Sequence, residues 1–431
     1  MDVAMSVILI ALVALMLASG LGIAYVIGSA AVVAFVLTDN TRYLAILPQQ
    51  VFSKIDVFAL MSMPLFILTG EVMNRTGVTK ALINFAMALV GRLPGGLGHV
   101  NVATSVFFAG ISGSAVADAA ALSNTLVPAM REQGYTNSYA SALTAASSVI
   151  GPIIPPSIIL IFYGALMGAS VPALFLAGVM PGLLLGGALL LMNAFFAWRG
   201  NHPRLPRDQI PRLGPALLRA LPALSLPVII LGGIVFGVAT PTEAAGIAVM
   251  AALMAGLFYG GLRWKELVEC LLSTARLTGT IFIILAAVAA FGHLAGLEQV
   301  PSAIAGWITA RNFGPGEYLL VLNLILLLAG MVLDIPVALA LLVPLIVPPA
   351  LAQGADPVHL GVVVCFNLCI GLITPPMGGC LVVVSAVTKL NYWALARAIL
   401  PFVAVEVAVL ALLVYFPSLT LWLPRLAGLV T

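Results

Sequence analysis

The chain has 431 residues, of which 62% are hydrophobic and only 8% charged, against about 25% charged in a soluble domain. This excludes a water-soluble enzyme or binding module and makes the chain a polytopic membrane protein. A net charge of +3 gives no face for nucleic acid, and the four cysteines, Cys270, Cys365, Cys369 and Cys380, lack nearby partners for a metal site and read as small apolar fillers.

In chain order, Met1–Ala4 lacks the basic start of a cleaved signal, so the first helix is expected to be retained. Residues 3–20 and 22–38 are each long enough to span. Residues 42–56, with Arg42, Lys54 and Asp56 among apolar neighbours, read as an interfacial arm, and 57–74 spans again. Residues 78–91 are short and lead into Pro94-Gly95-Gly96. Residues 100–130 are apolar around a polar centre, Gly110-Ile111-Ser112-Gly113-Ser114, the pattern of a re-entrant hairpin. Residues 138–170 are interrupted at Gly151-Pro152-Ile153-Ile154-Pro155-Pro156, and 172–198 spans. Two successive prolines remove two amide donors and clash with the preceding turn, so no helix passes through them. In lipid, such a break survives only where it is buried in protein or lines a wet cavity. The basic, proline-rich stretch 199–219 divides the chain.

The second half repeats the plan, with spans at 220–238 and 242–260, an arm at 262–276, a span at 277–295 and a short piece at 300–310. A hairpin at 317–350 follows, interrupted around Gly330 and Asp334-Ile335-Pro336. A broken segment at 358–388 carries Gly371-Leu372-Ile373-Thr374-Pro375-Pro376, and a last span covers 392–424. A shift of 220 residues superposes Gly151, Pro155, Pro156 and Pro181 on Gly371, Pro375, Pro376 and Pro401. The expected fold is therefore an all-α polytopic membrane protein of two inverted-topology repeats, 1–198 and 220–431, joined by the linker 199–219. Each repeat holds a re-entrant helical hairpin and a broken transmembrane helix. With five crossings per half and the linker in the cytoplasm, 14 basic residues lie inside and only Arg42, Lys54, Arg311 and Arg425 outside. Both termini are then expected outside.

A half-helix restarting after Pro155-Pro156 or Pro375-Pro376 aims free amides and its positive dipole end at the protein centre, which suits a carboxylate. Pro155, Pro156 and Ser157, and Pro375, Pro376 and Gly378, are the candidate substrate contacts, with Gly113 and Asp334 from the hairpin tips. The unwound residues leave carbonyl oxygens that, with tip hydroxyls, make all-oxygen sites for Na⁺. One site comprises Ser112, Ser114, Gly151 and Ile154, and the other Gly330, Gly371, Thr374 and Met377. Asp118 reads first as a helix cap, while Asp334 is open between cap and ligand. Glu243, after Thr240-Pro241-Thr242, reads as a first-turn acid. Glu71, Glu406 and His293 read as satisfied interface groups. No phosphate loop, His-Glu-x-x-His pair or nucleophile elbow occurs, so the chain is read as a carrier and not an enzyme.

The segment Phe107-Phe108-Ala109-Gly110-Ile111-Ser112-Gly113-Ser114-Ala115-Val116-Ala117-Asp118 resembles the first hairpin of the large membrane subunit of tripartite ATP-independent periplasmic (TRAP) transporters. Ala239-Thr240-Pro241-Thr242-Glu243-Ala244-Ala245 and Gly371-Leu372-Ile373-Thr374-Pro375-Pro376-Met377-Gly378 are similar to two further stretches of that subunit. The resemblance implies an elevator-type importer of the bacterial inner membrane, coupled to Na⁺. It also implies two partners, a small membrane subunit of about four helices on a separate chain and a periplasmic binding protein that captures an organic carboxylate. Two rivals are a stand-alone Na⁺-coupled dicarboxylate carrier and a non-transporting scaffold or intramembrane hydrolase.

Overall fold

The computed structural model describes Leu12, Leu15, Met16 and residues 18–200, 202–311 and 313–430. Met1–Ala4 and most of the expected span 3–20 lie outside the described residues. The described chain is helical: α1 Ile23–Leu37, α2 Leu47–Ile55, α3 Ser62–Arg75, α4 Val78–Val90, α5 Gly96–Ser112, α6 Ala115–Glu132, α7 Asn137–Ser148, α8 Ile158–Met167, α9 Val171–Gly200, α10 Leu213–Val235, α11 Pro241–Tyr259, α12 Trp264–Leu297, α13 Val300–Ala310, α14 Pro315–Gly330, α15 Ile335–Ala352, α16 Pro357–Gly371, α17 Gly379–Thr388, α18 Tyr392–Tyr415 and α19 Ser418–Leu426. Among the described residues six helices are long and apolar enough to cross a membrane, or seven if Thr41–Ile55 and Phe58–Arg75, bent by 63°, form one span.

The 220-residue shift carries α6 onto α15 residue for residue. It carries the gap between α7 and α8 onto that between α16 and α17, and both Pro155–Pro156 and Pro375–Pro376 are cis. The packing is reciprocal. Helix α17 of the second half lies on α6 and α7 of the first, while α8 of the first lies on α15 and α16 of the second. The half-helix that follows each break is thus packed on the other repeat, while the break itself is met by the hairpin tip of its own half. Around this core runs a frame in which α3 packs on α11, and α12 on α1, α2 and α3. An ion pair from Arg75 to Glu269 (2.6 Å) and a hydrogen bond from Ser273 to Glu71 (2.9 Å) tie α3 to α12.

The second arm and the following span form one unbroken 34-residue helix, α12. The basic residues mark an interface, but no Gly or Pro falls between Trp264 and Thr278 to end the helix. The last span stops at Tyr415, before Pro417, and α19 continues separately. The dividing stretch is also shorter than expected, because α9 runs to Gly200 and α10 starts at Leu213.

Candidate functional site

Both hairpin tips sit on the breaks. In the first half, Gly113 turns α5 into α6 at φ +61°, a left-handed conformation that glycine adopts without steric cost. A Cβ there would stand 3.0 Å from the Pro156 carbonyl oxygen, and one on Gly110 3.6 Å from that of Pro155. In the second half, a Cβ on Gly330 would stand 3.2 Å from Gly371 Cα, and one on Gly371 2.5 Å from the Gly330 carbonyl carbon. Glycine on both sides lets backbone meet backbone at this tip. Gly378, at φ +53°, donates to the Met331 carbonyl (3.3 Å) and so pins tip to break a second time.

The breaks expose oxygen and nitrogen as their prolines require. Among the described residues no donor reaches the carbonyls of Gly151, Ile154, Pro155 or Pro156, nor those of Ile373, Thr374 or Pro375. The amides of Ile158 and Ile159 at the start of α8, and of Gly379 and Leu381 at the start of α17, likewise lack acceptors among the described residues. The two breaks differ in access. Gly151, Pro152 and Ile153 of the first are buried, as are Pro155, Pro156 and Ser157, whereas Pro376, Met377 and Gly379 of the second are exposed.

The candidate residues fall into two groups. Ser112, Gly113, Gly151, Ile154, Pro155 and Pro156 gather at the first tip and break, and Gly330, Gly371, Thr374, Pro375, Pro376, Met377 and Gly378 at the second. Several have their polar atoms engaged. Ser114 caps α6, accepting from Ala117 N (3.4 Å), and Ser157 caps α8, accepting from Leu160 N (3.2 Å) and donating to the Pro152 carbonyl. The Gly371 carbonyl accepts a turn bond from Thr374 N (3.1 Å), and the Thr374 hydroxyl donates to the Ile370 carbonyl (2.7 Å). Asp334 caps α15 through Ile335 N (3.0 Å).

Asp118 departs from its expected capping role, because Ser114 holds that position. Asp118 lies one turn further in and 0% exposed, with the Ser112 hydroxyl beside its carboxylate. A Cβ on Gly151 would collide with its Oδ2, so the carboxylate rests on the first break. Glu406 also differs from expectation: it is 0% exposed and both its oxygens lack partners among the described residues. Glu243 completes a capping box with Thr240, and Glu71 is paired, as read from the sequence.

Three features escaped the sequence reading. The Tyr392 hydroxyl donates to the Pro376 and Met377 carbonyls, both at 2.8 Å. Asn101 bonds Thr144 (2.6 Å) and accepts from Ser147 (3.0 Å), while Ser105 bonds Ser147 (2.9 Å), clamping α5 to α7. Asn367 holds Asn323 (2.7 Å) at the corresponding seam of the second half. Small polar residues at helical spacing inside apolar runs were the available signal.

The family described as tripartite ATP-independent periplasmic transporter, DctM component, matches residues 10–419. The chain is 41% identical over 394 residues to the sialic acid TRAP transporter large permease protein SiaM of Vibrio cholerae, covering 91% of this chain and 92% of that one. It is 38% identical over 392 residues to the C4-dicarboxylate TRAP transporter large permease protein DctM of Pseudomonas aeruginosa, covering 91% of each. The solved YdaH transporter of Alcanivorax borkumensis shares the fold, with a TM-score of 0.63 at 14% identity over 88% of this chain and 89% of that one. With its paired hairpins and broken helices, the chain belongs to the DctM-component family of TRAP transporters, whose members are large permease subunits.

Proposed function

We propose that this subunit is the Na⁺-coupled carrier of an organic carboxylate, working with a small membrane subunit and a periplasmic binding protein. The observation that carries this reading is the seating of each glycine-bearing tip on a break that leaves several carbonyls unpaired among the described residues, with the Asp118 carboxylate against the first. Oxygen-only sites of this kind suit a hard monovalent cation, and the free amides at the starts of α8 and α17 suit an anion. Na⁺ bound between tip and break would order the amides for the carboxylate, and by reciprocity the carboxylate would tighten Na⁺. The hairpins and broken helices would move as one body against the frame of α1–α3 and α10–α13. The basic stretch after α9 would lie in the cytoplasm, with both termini outside. Sialic acid and C4-dicarboxylates, named for two relatives, are the substrates to try first.

The test is uptake into proteoliposomes holding this chain and its partners. Uptake driven by an inward Na⁺ gradient, and dependent on the binding protein, is expected. Uptake indifferent to the gradient would overturn the coupling, and full uptake by this chain alone would favour the stand-alone carrier.

A further inference from the structure

Between the frame and the core lies a pocket of ≈ 470 Å³, walled by α2 and α12 on the frame side and by α8 and α15 on the core side. The walls are mostly apolar, with Leu285 and Val288 of α12, Leu166 of α8, and Leu341 and Leu345 of α15. Lys54 of α2 is the one Lys, Arg, Asp or Glu in the lining. It stands exposed and makes no ion pair among the described residues. The nearest acids in sequence are engaged elsewhere: Asp56 lines a separate cavity, and Glu298 accepts from Asn40 (3.2 Å).

The other polar lining is Gln50, His293 and Gln299. Gln299 is held by its own chain, donating to the Gly296 carbonyl (3.2 Å) and accepting from Ser302 (3.0 Å). The His293 ring packs against those of Phe35 and Tyr43, 6.1 Å from each, and its Nε2 is buried. What a ligand meets is therefore a lysine, with Gln50 one helical turn away, beside apolar walls. A small polyhydroxylated or dicarboxylic anion would leave polar groups unpaired against leucine and valine. A zwitterionic headgroup would bring an ammonium to a lining that has no carboxylate. The position points to the membrane. Helix α2 is short, buries none of its residues fully and exposes Phe52 (72%) near Lys54, the composition of a segment at the headgroup level.

We propose that this pocket binds a phospholipid of net negative headgroup, with the phosphate on Lys54 and Gln50 and an acyl chain along Leu285, Val288, Leu341 and Leu345. The lipid bridges frame and core. Its binding chemistry depends neither on Na⁺ coupling nor on the orientation proposed above.

The test titrates the purified, delipidated full chain with dioleoyl phosphatidylglycerol and counts bound lipid by native mass spectrometry. Dioleoyl phosphatidylcholine carries the same chains on a neutral headgroup, and glycerol phosphate is the head without chains. Comparison with variants separates this pocket from annular lipid. Lys54→Gln, at an exposed position, should weaken phosphatidylglycerol binding about fivefold, to the level of phosphatidylcholine. Gly292 lines the pocket, and a Cβ there would meet nothing within 4 Å. Gly292→Leu therefore occupies the space without a backbone clash and should abolish the saturable site for both lipids. Equal affinity of the parent for the two lipids, or phosphatidylglycerol binding unchanged in either variant, would overturn the proposal. Saturable binding of glycerol phosphate that is lost in Lys54→Gln would overturn the lipid assignment in favour of a soluble phosphate. None of these results bears on Na⁺-driven uptake, so a failure here leaves the proposed function standing.

Discussion

Gly371→Ala tests the tip-on-break geometry directly. The added Cβ would lie 2.5–2.7 Å from the backbone of Gly330, whereas ordinary contact begins at 3.4 Å, so the two backbones must part by about 0.9 Å (from 2.5 to 3.4). Overpacking of this kind costs about 1–3 kcal/mol. If Na⁺ binding requires the tip to close, that energy opposes it, and half-saturation by Na⁺ should rise roughly fivefold to a hundredfold. The assay is initial uptake against Na⁺ concentration in proteoliposomes. Gly232→Ala, whose Cβ meets nothing within 4 Å, is the control and should match the parent. A folded Gly371→Ala protein with the parent's Na⁺ titration would refute the reasoning.

Asp118→Asn should abolish Na⁺-dependent uptake while leaving thermal stability in Na⁺-free buffer near the parent, because the amide keeps an oxygen for the Ser112 hydroxyl; a large loss of stability there would show a structural role. Ser147→Ala strips partners from Asn101 and Ser105 and should cost about 1–3 kcal/mol, read as a lowered unfolding midpoint. Glu406→Gln should leave both uptake and midpoint near the parent, since neither oxygen of the carboxyl has a hydrogen-bond partner among the described residues to lose; lost uptake would instead mark a functional site. Ser112→Ala and Thr374→Ala should each weaken the Na⁺ dependence of uptake, and unchanged titrations in both would count against those two sites.

The breaks were legible because proline and glycine act on the backbone itself. Pro155-Pro156 and Pro375-Pro376 can neither donate nor continue a helix, whatever surrounds them. The 220-residue shift was legible for the same reason. What depends on side chains meeting across the fold was not. Ser114 read as a Na⁺ ligand and Asp118 as a cap, and only the folded tip places the serine at the cap and turns the aspartate onto Gly151. Tyr392 lies 15 residues beyond the Met377 carbonyl it holds, a distance at which spacing carries no signal. The second arm misled because its charges resemble those of the first, while its uninterrupted helix formers let α12 continue.

The central claim is that tip and break together hold Na⁺. Thermal unfolding of the purified chain in Na⁺ and in K⁺ at equal ionic strength tests it most directly. A ligand at about a hundred times its dissociation constant stabilises the folded state by roughly 2.7 kcal/mol, so the midpoint should be higher in Na⁺, and the difference should vanish in Asp118→Asn combined with Thr374→Ala. Equal midpoints in the two salts would contradict the account.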